Sequence, residues 1–256
     1  MTINKLKLND NKTEALIVGT KQQIIKADIQ SISIADSSIN PTDSVKDLGV
    51  MLDSSLSMEA QVNNLCRTCY LQLRSISSIR PLITTDAAHS LVRSLILSRL
   101  DYCNSLYSGL SDHLLDKLQK IQNTAARIVS RSSKQSHITP VLKQLHWLPV
   151  KARIQFKILC LTYKSLHEQA PQYISDLITP YVPARQLRSQ HQNLLTVPPY
   201  KLKTFGHVFF SHTAPVLWNS LPLDLKLAPT LDSFKTVLKT HLFLQCYSPS
   251  TISDST

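Results

Sequence analysis

From Ser57 onward the apolar residues of this 256-residue chain recur at helical spacing, and this pattern limits the fold more than any other feature. Val62, Leu65, Cys69, Leu73 and Ile76 would line one helix face, closed by Pro81. A second helix is predicted from Thr85-Asp86 to Gly109, burying Leu91, Leu95 and Leu100. A third, with Ser111 as N-cap, carries Leu114, Leu118, Ile121, Ala125 and Ile128. The short connection at Gly109-Leu110 makes these two an antiparallel hairpin.

Beyond the polar run after Arg131, Thr139-Pro140 starts a short helix and Pro149 a longer one, Val150 to His167, with Ile154, Ile158 and Leu161 as its stripe. Leu194-Leu195 and Val208 to Phe210 read as strands, and Ala214 to Asn219 and Leu231 to Leu244 as final helices. The first 55 residues read differently. EALIVG, DIQSISIAD and VKDLGVML are short apolar or alternating runs, which predict a small antiparallel sheet. The expected class is α+β, mostly α. The expected divisions are 1–56 (sheet), 57–131 (helical), 132–247 (mixed helical) and 248–256, a Ser/Thr-rich disordered tail.

With four glycines in the chain, neither a dinucleotide fingerprint nor a phosphate-binding P-loop can be drawn. The N-terminus is polar where a secretory signal has its apolar core, and no window approaches a membrane span. An intracellular location, nucleus or cytoplasm, is expected, with the five cysteines reduced. Cys66-x-x-Cys69 falls inside a predicted amphipathic helix with no second Cys/His pair to complete a zinc site, so core packing is expected of it and no metal or other cofactor is assigned. His146-Trp147 and Trp218 also read as core.

The formal charge of +11 is uneven. Residues 1–128 hold 14 Lys and Arg against 12 Asp and Glu, whereas residues 129–256 hold 14 against 5. A basic second half suits sequence-independent contact with phosphate backbones; the alternative is an ordinary solvated surface. The candidate contacts are Arg127, Arg131, Lys134, Lys143, Lys151, Arg153, Lys157, Arg185 and Arg188.

Several strings occur in a recognisable order: LDYCNSLYSGL, LQKIQNTAARIV, LHWLPVKARIQFKI, APQYI, LRS and APVLWNSLP. Together they resemble the region downstream of the polymerase core in LINE-type (non-LTR, L2/CR1/jockey-like) retrotransposon reverse transcriptases. In that resemblance, Asn4 to Glu14 is similar to the segment called motif D, with Lys12 near the incoming nucleotide. Val45 to Asp53 is similar to the primer grip, at Leu48, Gly49 and Val50. A solvated lysine and a glycine that merely permits a tight turn are the alternatives at Lys12 and Gly49. Residues 57–131 would then be thumb-like.

DNA synthesis in this family needs two Mg²⁺ held by aspartates, one motif being [FY]-x-D-D. No Asp-Asp or Asp-x-Asp occurs here. The resemblance therefore implies a truncated fragment without polymerase activity, Mg²⁺ belonging only to the intact parent enzyme. Its expected partners are RNA or an RNA/DNA hybrid, the missing N-terminal half, and no membrane. The alternatives are a helical protein-interaction module and a transposon remnant without function.

Overall fold

The computed structural model describes residues 9, 12–34, 37–183, 192–199 and 209–248. Most of the motif D-like segment, Arg185, Arg188, Val208 and the tail beyond Ser248 lie outside the described residues. The architecture is α+β and mostly helical, with short strands in small sheets. The chain divides into two compact units, Met1–Arg67 and Thr68–Thr256, so the expected thumb-like and C-terminal regions fall largely within one unit. No helix among the described residues is long and apolar enough to cross a membrane.

In the first unit the expected single antiparallel sheet is replaced by three two-stranded pairings. β1 (Ala15–Leu16) runs parallel to β4 (Pro41–Thr42), while β2 (Ile32–Ile34) and β3 (Ser37–Ile39) are antiparallel, as are β5 (Ser44–Asp47) and β6 (Val50–Asp53). Between β1 and β2 lies α1 (Lys21–Ala27), which the apolar pattern did not predict. Its start is a capping box: the Thr20 Oγ1 accepts from the Gln23 N–H at 3.3 Å, and the Gln23 Oε1 accepts from the Thr20 N–H at 3.0 Å.

Leu48 and Gly49 form the two-residue turn of the β5–β6 hairpin, with φ of 45° and 87°. Positive φ at both central residues is what a primed hairpin turn requires, and Gly49 adopts it without steric cost. Beyond β6 the Asp53 carboxylate gathers the next turn. It accepts from the backbone and hydroxyl of Ser55, the backbone and hydroxyl of Ser57, and the Met58 N–H, leading into α2 (Glu59–Ile79).

α2 runs across the division between the units. Val62, Leu65, Cys69, Leu73 and Ile76 are all buried, as the spacing predicts. Next come α3 (Thr85–Val92), a π-helical turn at Arg93–Leu97, and α4 (Ser98–Asp101). Leu100 is buried as predicted, but Leu91 and Leu95 are half-buried and Val92 and Ile96, with Ala88, take the inward places one residue on. A 3₁₀ turn at Asn104–Tyr107 follows, with Tyr107 buried and Leu106 half exposed.

In α5 (Asp112–Ser130), Leu114, Leu118, Ile121 and Ala125 are buried. Ile128 is half-buried and Val129 takes the inward place. Ser111 occupies the N-cap position without a side-chain hydrogen bond. Two glutamines of α5 place the following segment. The Gln122 Nε2 donates to the Leu148 carbonyl at 2.8 Å, and the Gln119 Oε1 accepts from the Val150 N–H at 2.8 Å. Together they fix the start of α7 (Val150–Leu166), which follows α6 (Ile138–Gln144).

α7 is the central helix of this unit, in contact with α5, α8 (Gln172–Ser175), α9 (Phe210–Asn219) and α11 (Leu231–Tyr247). Because neighbours surround it, its buried set is broader than the predicted stripe and includes Ala152, Leu159, Cys160, Thr162, Tyr163 and Ser165. Of its three buried hydroxyls, two are satisfied within the helix, Thr162 on the Ile158 carbonyl and Ser165 on that of Leu161. Tyr163 stacks on Phe234 of α11 at 4.5 Å between ring centroids and donates to the Ala228 carbonyl, just beyond α10 (Leu223–Lys226).

Two strand expectations fail. Leu195 forms only an isolated bridge with Pro180, and Phe210 begins α9. Within α9 the buried Trp218 indole donates to the Asn193 carbonyl at 2.9 Å.

Candidate nucleic-acid interface

The C-terminal half of α2, the C-terminal half of α5 and the segments after them line a groove of about 1120 Å³. Its cationic lining comprises Arg74, Arg80, Arg127, Arg131 and Lys134; no lining residue is acidic. Tyr70, Ser77, Ser78, Thr124 and Ser132 add hydroxyls. Tyr70 is 44% exposed and presents an aromatic face beside the cations.

Arg80 organises this end of the unit. Only 6% exposed, it donates from Nε to the Ile128 carbonyl and from Nη2 to the Val129 carbonyl, each at 2.9 Å. It also donates to the Ile83 carbonyl at 2.9 Å and the Thr85 hydroxyl at 3.1 Å. The carbonyls at a helix C-terminus lack intrahelical partners and carry the negative end of the dipole, so a buried guanidinium satisfies both needs. The neighbouring Arg127 carbonyl accepts from the Arg131 and Ser132 N–H groups, with Arg131 in the left-handed region at φ 56°.

Arg80 is thereby committed to α5, and the other cations are not offset by carboxylates among the described residues. Arg131 Nη2 donates to the Arg80 carbonyl at 3.1 Å. Arg127 Nη2 reaches the Ser136 carbonyl at 3.3 Å, while its Nε is buried without an acceptor. Arg74, Arg131 and Lys134 are exposed. A concave surface with one sign of charge focuses the field and attracts polyanions.

Of the sequence candidates, the groove unites Arg127, Arg131 and Lys134. It adds Arg74 and Arg80, which sequence reasoning missed. Arg74 could have been found from its position four residues after Tyr70 and three before Ser77, a polar strip beside the buried stripe of α2. The expected common basic face of Lys151, Arg153 and Lys157 is divided. Lys151 is exposed at the start of α7, while Arg153 and Lys157 line a separate cavity. Arg153 is held by Asp101 of α4 in a two-pronged ion pair, Nε to Oδ1 at 2.8 Å and Nη2 to Oδ2. Lys143 is exposed on α6 and lines neither space.

In the first unit, Lys12 is exposed and its N–H donates to the Asn9 carbonyl. Leu48 is 84% exposed, Val50 is buried, and a Cβ at Gly49 would meet open space. The turn geometry thus accounts for Gly49 without a bound chain.

Among the cysteines, Cys69 is core and Cys66 half-buried on α2. Burial pushes the Cys160 thiol up to about 11, against the pull of Lys235, Lys157 and Lys164, so it stays protonated at neutral pH. Trp147 is buried as expected, whereas His146 is exposed, at φ 53°, beside Phe243. No cluster of three or more His, Cys, Asp or Glu able to hold a metal occurs among the described residues.

Comparison with family models, curated proteins and solved structures finds no match to this chain.

Proposed function

We propose that this chain is a palm-end, thumb-like and C-terminal portion of a LINE-type reverse transcriptase that binds RNA or an RNA/DNA hybrid without sequence preference. It has no polymerase activity of its own. The ordered family strings support the parentage, and the absence of any Asp-Asp or Asp-x-Asp removes the means of holding the two Mg²⁺ of the intact enzyme.

The observation that carries the binding reading is the groove at the α2 and α5 termini, with five cations and no carboxylate in its lining. Arg and Lys there act as phosphate partners, and Tyr70 offers a ring for stacking.

The test is fluorescence anisotropy with single-stranded RNA and an RNA/DNA hybrid over a range of salt. Arg74, Arg127, Arg131 and Lys134 acting together give a log–log salt slope of about −3 to −4 on a duplex, at about −0.9 per neutralised phosphate. Failure to bind either substrate at low salt would overturn the reading.

A further inference from the structure

A second cavity in the Thr68–Thr256 unit, of about 630 Å³, lies among the π-helical turn, α4, the α6–α7 connection, α7 and α11. It shares no residue with the basic groove. Its volume falls within the ordinary range for small-molecule sites.

Three features of its wall point to a ligand. Asn104 is 3% exposed, and its Oδ1 is buried with no hydrogen-bond partner. Its Nδ2 makes only a long contact with Asp101, at 3.5 Å. An orphaned buried acceptor is costly, and a ligand N–H or O–H would satisfy it.

Charge is the second feature. Asp101 is occupied by Arg153, yet Arg93, Lys157 and Lys239 also line the cavity from three different elements. None of these three has a carboxylate partner among the described residues. Three cations lining one cavity suit an anion of more than one charge.

The third feature is aromatic. Trp147 and His89 line the space with ring centroids 5.8 Å apart, tilted at 38°. Trp147 is only 5% exposed, so it is the half-buried His89 ring beside it that offers surface to a planar group.

We propose that this cavity binds a nucleoside monophosphate. The phosphate sits among Arg93, Lys157 and Lys239, a ribose or base donor meets the Asn104 Oδ1, and the base lies against His89. A free nucleotide and the 5′-phosphorylated end of an oligonucleotide share this chemistry.

The test is calorimetric titration of the full chain with the four ribonucleoside monophosphates, the matching nucleosides, inorganic phosphate, and short oligonucleotides with and without a 5′-phosphate. At least one monophosphate should bind about tenfold or more tightly than its nucleoside and than inorganic phosphate, the scale of one charge-assisted hydrogen bond. Arg93→Ala and Lys239→Ala, both at exposed positions, should each weaken it about tenfold. Asn104→Ala should weaken the nucleotide but not inorganic phosphate. Measured in the Arg127→Glu background, tighter binding of the 5′-phosphorylated than of the unphosphorylated oligonucleotide, lost on Lys239→Ala, identifies a chain end as the source; equal binding of the two oligonucleotides identifies a free nucleotide.

Monophosphates that bind no better than inorganic phosphate, or binding untouched by Arg93→Ala and Lys239→Ala, would overturn the proposal. Arg127→Glu in the groove should leave nucleotide affinity unchanged, so loss of groove binding and loss of cavity binding are separable.

Discussion

Arg80 Nη2 lies 2.9 Å from the carbonyl oxygen of Val129, and Arg80 Nε lies at the same distance from that of Ile128. One side chain thus closes the C-terminal end of a helix from 48 residues upstream. The geometry of the basic groove depends on it, because Arg80 holds the helix that presents Arg127 and Arg131.

Arg80→Ala should destabilise the Thr68–Thr256 unit by roughly 2–4 kcal/mol, since buried carbonyls lose a charged donor and the helix dipole loses its counter-charge. Arg80→Lys should recover only part, because an ammonium cannot span both carbonyls with a planar fork. Urea unfolding of the three proteins measures the order.

Charge reversal separates the groove from the rest of the basic surface. The pair Arg127→Glu and Lys134→Glu should reduce RNA affinity and flatten the salt slope by about 2 on a duplex, because two phosphates are no longer neutralised. Lys143→Glu and Lys151→Glu change the net charge equally at positions outside the groove and should have a much smaller effect. Equal reductions in both pairs would show that net charge, not the groove, controls binding.

The Asp53 carboxyl gives the first unit a pH dependence. Burial raises its pKa, but hydrogen bonds from Ser55, Ser57 and Met58 outweigh this and hold it below its ordinary value of 3.8. A lowered folded-state pKa means that the stabilisation is complete above the unfolded value and is lost as pH falls through the folded one. Asp53→Asn should cost roughly 1–2 kcal/mol at neutral pH. Acid titrations followed by circular dichroism should show that the variant has lost part of the decline below about pH 4.

The β5–β6 turn is open to improvement at one position and closed at the next. Leu48 sits at φ 45° with its side chain exposed, so Leu48→Asn should stabilise the hairpin by about 0.5–1 kcal/mol. Gly49→Ala should cost about 1 kcal/mol, although there is space for the methyl group, because φ is 87°. Denaturant midpoints of the two variants should move in opposite directions.

Asn219 holds Leu195 by both backbone groups, accepting from its N–H and donating to its carbonyl, each at 2.8 Å. Asn219→Ala should therefore speed amide exchange at Leu195 and across 192–199, while α7 amides change little. Uniformly faster exchange would show that the contact supports the whole unit instead.

Much of the helical frame was legible in the chain. The stripes of α2 and, apart from Ile128, of α5 appear at the predicted residues, because helical periodicity is a local property. Legibility declined where neighbours surround an element: α7 buries residues on several sides, and in α3 and the π-helical turn after it Val92 and Ile96 take the inward places expected of Leu91 and Leu95. The three N-terminal runs do hold strands, but they divide into more and shorter ones than expected, and Pro41–Thr42, where Asn40-Pro41 reads as a turn, is a strand. Two pairs are antiparallel as expected and β1–β4 is parallel, because two- to four-residue strands carry too few side chains to specify a partner.

The candidate site divides in the same way. By itself the sequence determined the basic second half, the absence of any Asp-Asp or Asp-x-Asp pair and the presence of Arg127, Arg131 and Lys134. Only the tertiary structure decided that Arg74 and Arg80 join them, that Arg153 is committed to Asp101, and that Asn104 is buried with an unsatisfied oxygen. Composition fixes how much charge a chain carries. Which charges converge, and which are neutralised, depends on contacts such as Arg80 to Val129, and no local pattern in the sequence encodes such a distant partner.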